Sequence, residues 1–108
     1  MANTFTRYTS KNLGTTPVVL VTAASATQTT VIGFTASNTT ASPITVDVYI
    51  TASATNYYLV KGATVPVGGS LALFGSDGKL VLNTNDAFTV VASAASSADI
   101  ILSVLQIT

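Results

Sequence analysis

The chain has 108 residues, four Lys+Arg against four Asp+Glu, no net charge, and 48% hydrophobic but only 7% charged residues, where soluble domains average about 25% charged. One compact domain is expected at this length, and Arg7, Lys11, Lys61 and Lys79 are too scattered to form the basic stripe that binds nucleic acid. The absence of cysteine and histidine excludes disulfides, thiolate metal sites and the side chain most used for acid–base work near neutral pH.

Threonine, alanine, valine and serine dominate, and glutamate is missing. β-Branched residues pack well on a pleated surface and lose freedom in a helix, so this composition favours strands. The opening sixteen residues are polar, with Phe5, Tyr8 and Leu13 as their anchors. They read as a first strand, a frayed terminus, or an N-terminal arm that orders on a neighbour. They lack the apolar stretch of a secretory signal, and no apolar run approaches the length of a membrane-spanning helix.

Residues 17–108 read as one sandwich domain. Strand patterns fall at 17–23, 28–37, 43–52, 56–62, 70–74, 79–83, 86–94 and 99–107, and 4–9 carries another. In 43–52, Ile44, Val46, Val48 and Ile50 alternate with Thr45, Asp47, Tyr49 and Thr51, the period of a strand with one buried face. Short strands at such regular spacing, separated by turn formers, predict an all-β fold. The expectation is a single antiparallel β-sandwich, jelly-roll-like or immunoglobulin-like, of about eight strands. The last strand is apolar on both sides, with Ile100, Leu102 and Val104 on one and Ile101, Leu105 and Ile107 on the other. Such a strand is either central in the sandwich or covered by a neighbouring subunit.

Chemistry-bearing patterns are sparse. Gly68, Gly69, Gly75 and Gly78 stand near Lys79, but Leu80 follows that lysine where a phosphate-binding loop needs Ser or Thr, and no helix follows. Residues 64–82 therefore read as strands joined by glycine turns, with one turn in Gly75-Ser76-Asp77-Gly78. Asn83, Asn85 and Asp86 lack the fixed acidic positions of a calcium loop and read as an Asx turn. Asn38 heads an Asn-Thr-Thr sequon in what reads as a polar loop. Asp47, Asp77, Asp86 and Asp99 sit in no hydrolase context, and serine and threonine have no histidine to activate them. No catalytic, cofactor or metal residue is assigned, and no membrane contact is expected. Tyr57 and Tyr58 are adjacent, so one is expected inside and the other outside. The candidate interface residues are Phe5, Tyr8, Leu13, Tyr57, Tyr58, Leu105 and Ile107.

Three stretches carry a resemblance: "NTFTRYTSKNLGTTPVVLVTA", "TTVIGFTASNTTASPITVDVYI" and "YYLVKGATVPVGGSLALFGSDGKLVLNTNDAFTVVASA". Together they resemble the small virion structural proteins of tailed bacteriophages, especially those infecting cyanobacteria and other marine bacteria. The shared pattern is "VKG…VPVGGSL…GKLVL…D", with "NTND" here where that group favours an acidic, glycine-containing turn. The resemblance implies a noncatalytic sandwich in the virion. Its partners would be the major capsid protein or neck and tail proteins, together with copies of itself. A head decoration protein is the first expectation and a neck, tail or baseplate accessory the second. A receptor- or carbohydrate-binding module using Tyr49, Tyr57 and Tyr58 is the third.

Overall fold

The computed structural model describes residues 3–74 and 79–108. They form nine strands: β1 (Asn3–Leu13), β2 (Val18–Thr22), β3 (Gln28–Asn38), β4 (Ile44–Ala52), β5 (Thr55–Val65), β6 (Ser70–Leu73), β7 (Leu80–Leu82), β8 (Ala87–Ala92) and β9 (Ala98–Ile107). Each coincides with a stretch in which β-branched or apolar residues recur at a spacing of two. The expected turn at residues 75–78 lies outside the described residues.

All pairings are antiparallel. Sheet I has the order β1-β9-β3-β6, with β7 also paired to β3, and sheet II has the order β2-β8-β4-β5. The pairs are nested: β1 with β9, β2 with β8, β3 with β6 and β7, and β4 with β5. A long hairpin wound on itself gives this nesting, and it is the jelly-roll arrangement. The strands β6 and β7 share one edge position, so nine strands fill the places of eight.

Residues 3–13 are an integral edge strand of sheet I, not an arm reaching away. Asn3 to Ser10 pair residue by residue with Ile107 to Ile100. A polar segment is accommodated because β1 lies at an edge, where one face and one flank meet solvent. Strand β9 lies between β1 and β3, which accounts for the burial of Ile100, Leu102 and Val104.

Between the sheets, Phe34 and Phe88 meet with ring centroids 5.6 Å apart. Around them lie Leu13, Val31, Val46, Val48, Val65, Leu82, Val90, Ile100, Leu102 and Val104, all nearly inaccessible. Full burial of such a side chain contributes about 1.5–3 kcal/mol. Two candidate interface residues belong to this interior. Leu13 is 1% exposed and packs in the core, so it is not available to a partner. Tyr8 packs against the core, and its hydroxyl accepts from Gln106 Nε2 at 3.1 Å.

Candidate functional site

Among the described residues, the carboxylates of Asp47, Asp86 and Asp99 each accept from a backbone N–H. Asp47 accepts from the Gly62 N–H at 2.6 Å, where two residues of β5 oppose one of β4 and Gly62 takes φ +69°. This is a β-bulge whose left-handed position glycine fills without strain. Asp86 accepts from the Asn83 N–H at 2.9 Å, while its own N–H donates to the Asn83 carbonyl. The expected turn at 83–86 is thus closed by its own acid. Asp99 accepts from Lys11 Nζ at 2.9 Å and from the Asn12 N–H at 3.2 Å. The Lys11 hydrogen bond, then the Asn12 N–H, hold the Asp99 carboxyl below its ordinary pKa. The described residues include no group of three or more Asp, Glu, His or Cys that could hold a metal ion.

Asn38 corrects its reading as a loop residue. It is 6% exposed at the end of β3. Its Nδ2 donates to the carbonyls of Ser42 at 2.8 Å, Val65 at 3.1 Å and Pro66 at 3.3 Å. Its Oδ1 accepts from the Thr40 N–H and hydroxyl. The nitrogen that a glycan would have to join is therefore enclosed and already bonded. This side chain ties the end of β3 in sheet I to the end of β5 in sheet II.

The remaining candidate surface is the outside of the sandwich. On sheet I the register places Phe5 beside Leu105, Leu105 beside Thr30, and Thr30 beside Val81, a row of three apolar residues and one threonine across four strands. Phe5 is 73% and Val81 65% exposed. A second row runs from Thr9 through Ile101 and Thr35 to Ala72, with Ile101 exposed. Arg7 and Ser103 lie between the two rows. Ile107 continues the outer side of β9 past Leu105, opposite Asn3 and Gln28. Exposed apolar groups in contiguous rows mark surfaces that other molecules cover.

Sheet II has a different outside. The row there runs Val19, Thr89, Tyr49, Tyr58. Tyr49 and Tyr58 lie 4.9 Å apart with a 45° tilt, and Lys61 Nζ sits 4.5 Å from the Tyr58 ring centre. One face of the Tyr58 ring is thus occupied by a cation, which reduces its use as a flat platform for a sugar ring. Both Tyr57 and Tyr58 are exposed, at 57% and 44%. The expectation that one of them packs inside fails because they lie on edge strand β5, close to its hairpin with β4.

The depressions are shallow. One, of about 430 Å³, lies between Gln28 and Thr30 of β3 and Val81 to Thr84, and its lining holds no ionisable residue. A second, of about 240 Å³, holds the Lys11–Asp99 pair beside Ile101.

No protein-family profile matches the chain, and no curated protein matches it in sequence. Its fold is similar to that of a protein of Bacillus endospore appendages, described as a novel family of disulfide-linked pili. The TM-score is 0.57 and the identity 14%, over 99% of this chain and 87% of that one. It is also similar to a chain of infectious bursal disease virus Gx strain, with TM-score 0.53 and 14% identity, over 96% of this chain and 32% of the viral one. The chain therefore spans about a third of the viral protein's length. At this identity the likeness concerns the fold, a two-sheet antiparallel sandwich.

Proposed function

We propose that this chain is a noncatalytic structural subunit of a virion, used in many copies, and that it acts as a head decoration protein of a tailed bacteriophage. The observation that carries this reading is the outside of sheet I, where Phe5, Leu105, Thr30 and Val81 stand in one register beside the Ile101 row. The near absence of charge supports it, since a charge-poor exterior protects an isolated protein weakly against association. The fold likeness to a pilus protein and a viral chain supports it further. With no cysteine in the sequence, its attachment uses no disulfide from this chain.

Quantitative mass spectrometry of purified particles, with the major capsid protein as the internal standard, tests the proposal. A decoration protein is expected at a copy number proportional to that of the capsid protein. A count set by the rotational symmetry of a neck or tail would replace head decoration with an accessory role there. Absence from particles would refute both.

A further inference from the structure

A sandwich of this kind has four open edges, and three of them are blunted. Strand β2 is short, follows Pro17 and shifts register between Val19 and Val21. Strand β5 is interrupted at two places, one of them the Gly62 bulge, and Pro66 follows it. The last edge is divided between the short strands β6 and β7. Strand β1 differs from all of them. From Asn3 to Ser10 it pairs with β9 without a break and contains neither proline nor glycine. Its free flank presents a row of N–H and C=O groups able to accept another strand.

We infer that β1 pairs antiparallel with β1 of a second copy of this chain, about a two-fold axis through Thr6, joining two copies of sheet I into one continuous sheet. This rests on the reading of the chain as a multi-copy subunit and names the contact. A two-fold axis perpendicular to the sheet keeps outer side chains opposite outer ones, so facing residue numbers must have an even sum. A register centred on Arg7 sets two guanidinium groups against each other, which is unfavourable. Centring on Thr6 instead places Phe5 opposite Arg7 of the second copy, twice. An exposed aromatic ring and a guanidinium with no ion pair among the described residues then satisfy each other by cation–π stacking. Thr4 falls opposite Tyr8 and Asn3 opposite Thr9. The row Phe5, Leu105, Thr30, Val81 then meets Arg7 and Ser103 of the second copy, whose own Phe5 row lies two residues further along the strand. The second copy is favoured over an unrelated strand because β1 supplies both halves of this match.

Single cysteines test the register, since the sequence has none of its own. Facing Cα atoms in an antiparallel pair lie about 4.5–5.5 Å apart, within the span of about 4.4–6.8 Å that a disulfide bridges. Thr6→Cys is therefore expected to convert to a covalent dimer under mild oxidation. Thr4→Cys, displaced from its counterpart by about 13 Å, is expected to remain uncrosslinked. The double variant Asn3→Cys with Thr9→Cys, on the exposed face, is a second route to the same dimer if Thr6→Cys fails to fold. Its two thiols lie about 20 Å apart within one chain, so only a second copy can join them. Phe5→Lys, facing Arg7 of the second copy, is expected to weaken dimerisation about ten-fold or more in sedimentation. Failure of both cysteine variants to crosslink, or equal crosslinking by Thr4→Cys, overturns the pairing. Particle copy number is a separate reading, so either result leaves the virion assignment to its own test.

Discussion

On the outside of sheet I, one row of side chains begins at Phe5 on the edge strand β1, unbroken from Asn3 to Ser10, and passes through Leu105 and Thr30 to Val81. On the outside of sheet II, the comparable row passes from Val19 through Thr89 and Tyr49 to Tyr58, where Lys61 covers a ring and a bulge held by Asp47 interrupts the edge. Both sheets bury the same kind of aliphatic residue inward, so the core does not explain the contrast. It lies in how each sheet treats water. Sheet II sets charge, aromatic stacking and backbone irregularity beside its exposed Val19 and tyrosines, whereas sheet I leaves Phe5, Val81 and Ile101 exposed next to an edge strand with free backbone. A protein whose two exteriors differ in this way is suited to being covered on one side.

The sharpest way to break this comparison is to exchange its levels on a single strand. On β9, Leu102 points inward and is fully buried, while its neighbour Ile101 is 48% exposed. Leu102→Ala is expected to cost about 2–5 kcal/mol of stability. Ile101→Ser is expected to change stability by less than about 1 kcal/mol, and to weaken association instead. Chemical denaturation paired with sedimentation separates the two effects. A large stability loss from Ile101→Ser would mean that the outer face of sheet I supports the fold itself.

The next effect concerns the tie between the sheets. Asn38→Ala removes the hydrogen bonds formed by one enclosed side chain and takes a donor from the buried Val65 carbonyl. A loss of about 2–4 kcal/mol in denaturant unfolding is expected. Gly62→Ala comes third. Open space surrounds the position, so the left-handed backbone alone sets the cost, about 1–2 kcal/mol by thermal unfolding. The β4–β5 hairpin offers a gain. Ser53 and Ala54 both hold positive φ in its two-residue turn, a geometry that Asn-Gly adopts more readily. Replacing Ser53→Asn together with Ala54→Gly is expected to stabilise the protein by about 0.5–1 kcal/mol.

The smallest effect is at the edge of sheet I. The folded-state pKa of Asp99 is depressed, first by the Lys11 hydrogen bond, so its contribution is present above the ordinary carboxylate pKa and disappears as pH falls through the lowered one. Lys11 is well exposed, so the contribution is small. In Lys11→Met the Asp99 titration followed by NMR is expected to move upward, with little change in melting temperature at neutral pH.

Strand positions were legible because β-branched alternation is a local signal, and the 43–52 pattern maps directly onto β4. Several other features were not, each for a physical reason. In β3 the inward residues switch from Thr29 and Val31 to Phe34, Ala36 and Asn38, because a register shift between Val31 and Gly33 resets the phase. A bulge of this sort erases simple periodicity. The role of Asn38 depends on Val65 and Pro66, far along the chain, and a sequon suggests surface exposure. The polar β1 resembled an arm because its partner, β9, lies at the other end of the sequence. The same distance hid the burial of Leu13. The candidate surface was partly legible in Phe5, Leu105 and Ile107, whereas the joining of Phe5 to Val81 in one row required the register.

Oxidative footprinting by mass spectrometry, comparing the dilute chain with the assembled particle, addresses the contrast between the two exteriors most directly. The account predicts that Phe5, Ile101 and Val81 become protected on assembly while Tyr57 stays reactive. Protection of Tyr57 and Tyr58 with Phe5 and Val81 unchanged would contradict it.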